Sequence, residues 1–271
     1  MSKILIGIPT LNGPHRLENC LHAIYQTHDV YKNDVTILVV DDGSTKDNLE
    51  ENIKICNRRS ITVLMHRERL GVPTAWNTLV NHNKAFEYCI LINDDILVTH
   101  HWIDTVIFTL KHNNNIGVVG LNAYEGERSS LPPNNIPTYI ESNILLGSRI
   151  SPVLSARGFA FGFRTDDYKA INGFDQRFFC FFEEVDFNLN MMKILNKRNC
   201  ILSYPILKHI HGATTFSQLP NHTDIFLESK KKFEEKWNIK WNELRTIFNI
   251  GTIPALNNEL NEWNSNVDIW G

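Results

Sequence analysis

The chain has 271 residues, 42% of them hydrophobic, enough to bury a large core in one α/β domain with a C-terminal extension. A formal charge of −3 excludes general attraction to nucleic acid or anionic membrane, though not a local basic patch. Five cysteines, Cys20, Cys56, Cys89, Cys180 and Cys200, are an odd set without paired spacing and read as reduced thiols of an intracellular protein. The N-terminal apolar run breaks at Pro9 and Asn12, against a secretory signal, and no segment approaches the roughly 20 apolar residues that span a bilayer. The expectation is a soluble, cytoplasmic protein without an integral membrane segment.

In chain order, Ile4-Leu5-Ile6-Gly7-Ile8 reads as a strand ending in Pro9-Thr10-Leu11-Asn12, where an interrupted backbone can pack against a planar ligand. Leu17, Cys20, Leu21, Ile24 and Tyr25 recur at helical spacing and predict an amphipathic helix over 14–27. A second strand, Val35-Thr36-Ile37-Leu38-Val39-Val40, runs into Asp41-Asp42, after which Gly43 and Ser44 supply a turn and cap for a helix over 46–56. A third strand covers 61–65. Gly71 opens a helix with Val72, Ala75, Leu79 and Val80 on one side, and a fourth strand, Tyr88-Cys89-Ile90-Leu91-Ile92, stops at Asn93-Asp94-Asp95-Ile96. A helix over 102–112 and a short strand at 118–120 follow. This alternation predicts βαβ units and a mainly parallel central sheet flanked by helices.

Two strands thus deliver paired carboxylates to one sheet edge, the side on which open α/β sheets bind ligands. An acidic pair after a strand is by itself more often a helix cap or a solvated turn; its repetition favours a metal site. Mg²⁺ and Mn²⁺ are hard ions that bind through one or two carboxylates and complete their shells with phosphate and water, so the implied ligand is a metal–diphosphate. His209-Ile210-His211 adds two imidazoles that point to one side of a strand, and the small residues Gly212 and Ala213 favour His211 as a ligand.

The stretch 124–137, rich in Gly, Ser, Pro and Asn, is either a lid or acceptor-facing loop or a plain surface excursion. Gly158-Phe159-Ala160-Phe161-Gly162-Phe163 reads as a strand whose small residues admit a ligand or another backbone, or as a bulged core strand. The acids of Phe181-Phe182-Glu183-Glu184-Val185-Asp186 open a helix running to Leu195; they either supply a general base or only favour the positive helix end. Phe233, Trp237, Trp241, Leu244 and Phe248 form an aromatic stripe on a C-terminal helix. The stripe is expected to dock on the catalytic domain; dimerisation, acceptor binding and membrane-surface attachment are the alternatives.

The succession Ile8-Pro9-Thr10-Leu11-Asn12, Val40-Asp41-Asp42-Gly43-Ser44, Gly71 to Asn77, Asn93-Asp94-Asp95, and Gly173-Phe174-Asp175 to Phe182-Glu183-Glu184-Val185-Asp186 resembles family 2 (GT2) glycosyltransferases with the GT-A fold. The order and spacing match over about the first 215 residues. The resemblance implies a nucleotide-diphospho-sugar donor, a divalent ion (Mn²⁺ or Mg²⁺), and transfer with inversion. It divides the chain into a GT-A catalytic domain at 1–222, with a nucleotide-binding half to about 120 and an acceptor half at 121–222, and a helical extension at 223–271.

By the same resemblance Asp95 is the principal metal ligand, joined by His211, and Asp94 contacts the ribose or a metal-bound water. Pro9 and Thr10 flank the base, and Asp42 accepts a hydrogen bond from a uracil or thymine imide. Cytosine lacks that proton, so the donor is a UDP- or dTDP-sugar. Arg69 stands where relatives often have asparagine and can supply phosphate charge lost where Trp76 replaces a common arginine; Trp76 itself reads as core. Where the family has Glu-Asp-x-Asp, this chain has Glu183-Glu184-Val185-Asp186, which puts the base at Glu184, with Asp186 the other catalytic candidate. The implied acceptor is a hydroxyl of a glycan or lipid-linked sugar, with a modified DNA base, and hence a nucleic-acid partner, as the lesser alternative. A nucleotidyltransferase would need a basic glycine-rich phosphate loop after the first strand, for which Gly13-Pro14-His15-Arg16 is too slight. A non-catalytic nucleotide-sugar-binding relative would not need acids at both 94–95 and 183–186.

Overall fold

The computed structural model describes residues 3–27, 34–82, 85–125, 150–209 and 221–243. Strands β1 (Ile4–Thr10), β2 (Val35–Asp41), β3 (Thr62–Met65) and β4 (Tyr88–Ile92) alternate with helices α1 (Pro14–Gln26), α2 (Lys46–Asn57) and α3 (Val72–Asn81). Then come β5 (Ile96–Val98), α4 (Trp102–His112), β6 (Ile116–Glu125), β7 (Ile150–Val153), β8 (Ala160–Arg164), α5 (Thr165–Ala170), α6 (Glu183–Leu195), β9 (Arg198–His209) and α7 (His222–Trp237). One sheet contains all the strands of the described residues, in the order β3-β2-β1-β4-β8-β6-β9-β5, with β7 on β9.

The pleat explains why the strands are apolar on both sides. Ile4, Ile6, Ile8, Val39, Ile90 and Ile92 face one cluster, closed by Leu17, Leu21 and Ile24 of α1 and by Trp102, Val106 and Leu110 of α4. Leu5, Leu38, Val40, Cys89 and Leu91 face the other, closed by Trp76 and Leu79 of α3, Tyr168 of α5, and Phe187 and Met191 of α6. All five cysteines are free and buried. Trp76 is core as expected, with its ring against Phe161 and Phe174.

The first four strands are parallel, and their register sets Thr10 beside Asp41, so the ends of β1 and β2 open on the same edge. Beyond β4 the sheet is mixed: β8 runs antiparallel to β4 and β6, while β6 and β9 are parallel. Two features were not legible in the sequence. Ile96–Val98, hidden behind the aspartates, is a strand, and it pairs antiparallel with β9 so that Ile96 lies opposite His209. β6 is longer than the expected 118–120 because it follows β9 across irregularities in register.

Helix α7 docks through Phe233 against Phe178, Phe182, Val185 and Leu189, with Phe226, Trp237 and Trp241 packed around them. The aromatic stripe therefore covers the start of α6. Leu244, Phe248 and the 124–137 loop lie mainly or wholly outside the described residues. Among the described residues, no helix is long and apolar enough to cross a membrane.

Candidate active site

Asp94 leaves β4 buried at the end of β1. It accepts hydrogen bonds from Thr10 Oγ1 at 2.7 Å and from Arg16 Nε and Nη2 at 3.2 and 3.3 Å. Burial pushes its pKa up to about 6; Arg16 and Thr10 oppose the rise and neighbouring Asp95 adds to it. Nothing local in the sequence marks Arg16, on the first turn of α1, for this contact with a residue 78 positions away.

Asp95 is also buried, and no hydrogen bond from the described residues reaches its Oδ1. That oxygen lies 3.4 Å from His209 Nε2, and the imidazole stacks on the Phe159 ring with centroids 4.6 Å apart. The β5–β9 pairing thus brings His209 to the acidic pair; His211, the expected ligand, lies outside the described residues. Among the described residues no group of three or more His, Cys, Asp or Glu side chains is placed to hold a metal ion. An Asp95 oxygen without a donor beside an imidazole does fit a hard cation whose remaining positions go to phosphate and water.

The Asp41-Asp42 turn is organised from within. Asp41 accepts from Ser44 N and Asn52 Nδ2, both at 2.8 Å. Asp42 Oδ1 accepts from Leu70 N at 3.0 Å and lies 2.7 Å from His66 Nδ1, while Oδ2 accepts from Gly71 N at 2.9 Å. An ionised carboxylate cannot donate, so Nδ1 of His66 carries the proton and Nε2 faces Thr78 Oγ1 at 2.9 Å. Asn12 joins the two strand ends: its N–H donates to Ser44 Oγ and its Oδ1 accepts from Thr45 N, both at 2.8 Å. Pro9 is half-buried on the same edge and Thr10 is spent on Asp94.

Gly71 holds φ at +92°, and a Cβ there would run into the Phe179 carbonyl, which accepts from Val72 N at 2.9 Å. Asn77 ties α3 to the Gly173-Phe174 turn, donating to Phe174 O at 2.8 Å and accepting from Phe174 N at 3.0 Å. The Arg69 guanidinium lies over the Phe179 ring, 5.3 Å from its centroid, and burial lowers its pKa. Helix α3 is therefore bound to the segment that leads to the acids of α6.

Those acids differ. Glu183 is buried with Oε2 unpartnered among the described residues, and burial together with Glu184 holds its pKa well above the usual carboxylate range. Glu184 is half-buried, and burial raises its pKa too. Its Cβ, Cγ and Cδ lie against Gly158, so close that a Cβ at position 158 would meet them at 3.3–3.4 Å. The next residue, Phe159, accepts a hydrogen bond from Asn93 N at 2.9 Å and carries His209 on its ring. Gly158-Phe159 thus links the two groups, Glu184 lying against Gly158 and His209 against the Phe159 ring. Asp186, grouped with Glu184 by the motif, is fully buried and occupied: Lys236 Nζ lies 2.7 Å from Oδ1 and 2.8 Å from Oδ2, Trp237 Nε1 donates to Oδ1 and Asn190 Nδ2 to Oδ2.

Asp95 and His209 thus offer an oxygen and an imidazole of the kind that suit a metal, the Asp41-Asp42 turn is ordered by polar contacts, and Glu184 is a half-buried carboxylate of raised pKa. The family model described as glycosyl transferase family 2 matches residues 5–180, and the chain belongs to that family. Solved structures similar to it share the GT-A fold. A mannosyltransferase, PcManGT from Pyrobaculum calidifontis, in complex with GDP-Man and Mn²⁺, is 16% identical over 75% of this chain and 57% of its own, with a TM-score of 0.56. S. aureus TarS 1–349 is 15% identical over 84% of this chain and 70% of its own, at 0.57. GalNAc-T7 with UDP, GalNAc and Mn²⁺ is 13% identical over 76% of this chain and 43% of its own, at 0.60. The chain thus spans less than two thirds of the length of the first and third of these. A search of curated proteins found no match.

Proposed function

We propose that the chain is an inverting, metal-dependent glycosyltransferase that moves a sugar from a UDP- or dTDP-sugar to a hydroxyl of a glycan or lipid-linked acceptor. The observation that carries this is that Glu184 lies against Gly158 while His209, beside Asp95, stacks on the neighbouring Phe159. Asp95 and His209 would hold Mn²⁺ or Mg²⁺, an ion that neutralises charge on a departing diphosphate when bound. Complexes of two similar structures with Mn²⁺ and a nucleotide or nucleotide sugar support that reading.

Each remaining group has a task on this reading. Glu184 accepts the acceptor hydroxyl's proton as its oxygen attacks the face of the anomeric carbon opposite the diphosphate, and burial, which raises its pKa, makes it the stronger base. Asp94, oriented by Thr10 and Arg16, accepts from the ribose. Asp42 Oδ2 takes one hydrogen bond from Gly71 and keeps acceptor capacity for an imide N–H. Pro9 flanks the base, and Arg69 reaches phosphate. The catalytic unit is taken as 1–222, with 223–271 as its extension.

A screen of nucleotide sugars for slow hydrolysis, with Mn²⁺ and with EDTA, needs no acceptor and tests the reading directly. Metal-dependent release of UDP or dTDP is the expected result. Hydrolysis confined to GDP- or CDP-sugars would overturn the donor assignment, and equal rates in EDTA would overturn the metal.

A further inference from the structure

Ahead of Glu183 the chain runs from α5 to α6 without a regular element, and its last two residues, Phe181 and Phe182, hold φ at +69° and +68°. Bulky side chains rarely adopt this left-handed conformation, and two in succession persist only where the surroundings over-determine them. Helix α7 and the residues just after it supply those surroundings. Lys232 Nζ donates to Arg177 O and Ser229 Oγ to Cys180 O, both at 2.8 Å. The Phe182 ring is enclosed by Phe226, Phe233 and Trp241, with centroids 5.4, 5.1 and 4.7 Å away. Lys236 Nζ closes the segment at both ends, reaching Asp175 Oδ2 at 2.8 Å and Asp186 on the first turn of α6.

We propose that α7 is a positioning element of the active site: by bridging Asp175 and Asp186, Lys236 holds the left-handed Phe181-Phe182 turn and so sets where Glu184 stands. The assignment rests on Glu184 acting as the base. Lys236 and Trp237 lie beyond the residues that the family model matches, so the clamp is a property read from this chain's own contacts. It also gives Asp186 a task that needs no contact with substrate.

The test compares Lys236→Met, Lys236→Arg and Trp237→Phe with the parent, using Lys231→Met, an exposed residue of the same helix, as the control. Turnover of the UDP-sugar is measured per Mn²⁺–UDP binding site, so that unfolded protein does not count, and hydrogen–deuterium exchange is followed over 175–186. A displaced reacting group costs about 10²-fold. Lys236→Met is accordingly expected to lose about 10–100-fold in kcat while donor KM and the Mn²⁺–UDP Kd stay within about twofold. Exchange protection over 175–186 should fall in Lys236→Met, Lys236→Arg should recover most of both, and Trp237→Phe should lie between. Unchanged kcat and unchanged exchange in Lys236→Met would overturn the clamp, as would a loss carried by KM and Kd instead of kcat. Should Lys236→Met fail to fold, Trp237→Phe decides by the same readings. A parent that turns over no nucleotide sugar would defeat the functional reading, while exchange over 175–186 would still decide the clamp.

Discussion

His209 Nε2 stands 3.4 Å from Asp95 Oδ1, a buried carboxylate oxygen that no hydrogen bond from the described residues reaches. The contact joins the end of β4 to the end of β9 across the β5–β9 pairing. A carboxylate oxygen and an imidazole left facing each other at this distance suit a shared cation better than a direct hydrogen bond.

UDP or dTDP should therefore raise the melting temperature only when Mn²⁺ or Mg²⁺ is present. Stabilisation follows RT ln(1 + [L]/Kd), so ligand at about a hundred times Kd adds about 2.7 kcal/mol. Thermal scans with nucleotide in excess metal and in excess EDTA check this; equal shifts in both would rule out a metal bridge.

Asp95→Asn keeps the side chain's shape and removes its charge, and His209→Leu keeps bulk against Phe159 while removing the imidazole. Both should weaken metal-dependent UDP binding by about tenfold or more, and Asp95→Asn should keep a near-normal melting temperature without ligand. Titration calorimetry with Mn²⁺–UDP reads the change. If His209→Leu binds like the parent, the imidazole next to Asp95 is a packing group.

On the proposed mechanism, Glu184→Gln removes the proton acceptor and little else. Sugar transfer should fall about 10²–10⁴-fold, the usual range for general-base catalysis, with Mn²⁺–UDP binding retained. Glu183→Gln should be milder, because that side chain is buried while Glu184 is half-exposed. Initial rates and nucleotide affinity measured in parallel separate the two. Near-full turnover in Glu184→Gln would mean that the base lies elsewhere.

Asp175 yields a pH dependence. Burial works against its ionisation, yet hydrogen bonds from Arg177 and Lys236 hold its carboxyl well below the usual carboxylate range. A carboxylate with a depressed folded-state pKa binds fewer protons folded than unfolded, so its stabilisation is present above the unfolded pKa of about 4 and is lost as pH falls below it. The Lys236 contact is the partly shielded one and Arg177 is mostly exposed, so the larger share belongs to Lys236. Asp175→Asn should melt below the parent at pH 6–7, and the gap should narrow steadily below about pH 4. A gap of constant size from pH 7 to pH 3 would show that the charge on Asp175 contributes nothing.

The sequence by itself determined where carboxylates leave the sheet. Strand length, apolar runs and the abrupt stops at Asp41-Asp42 and Asp94-Asp95 are local signals, and they sufficed for α1, α2, α3 and α4, for the parallel first half of the sheet and for an acidic first turn on α6. Only tertiary structure decided which partners those residues received. Arg16 meets Asp94 across 78 positions, and Lys236 meets Asp186 across 50. His209 reaches Asp95 through a three-residue strand whose sequence reads as the tail of a motif. Glu184 and Asp186 sit two residues apart in one acidic run, and their chemistry diverges because the helix start sets one against Gly158 and gives the other to Lys236 and Trp237. Periodicity reports which face of an element is apolar; the charge a buried carboxylate meets depends on the long-range packing that places a cation or a backbone amide beside it.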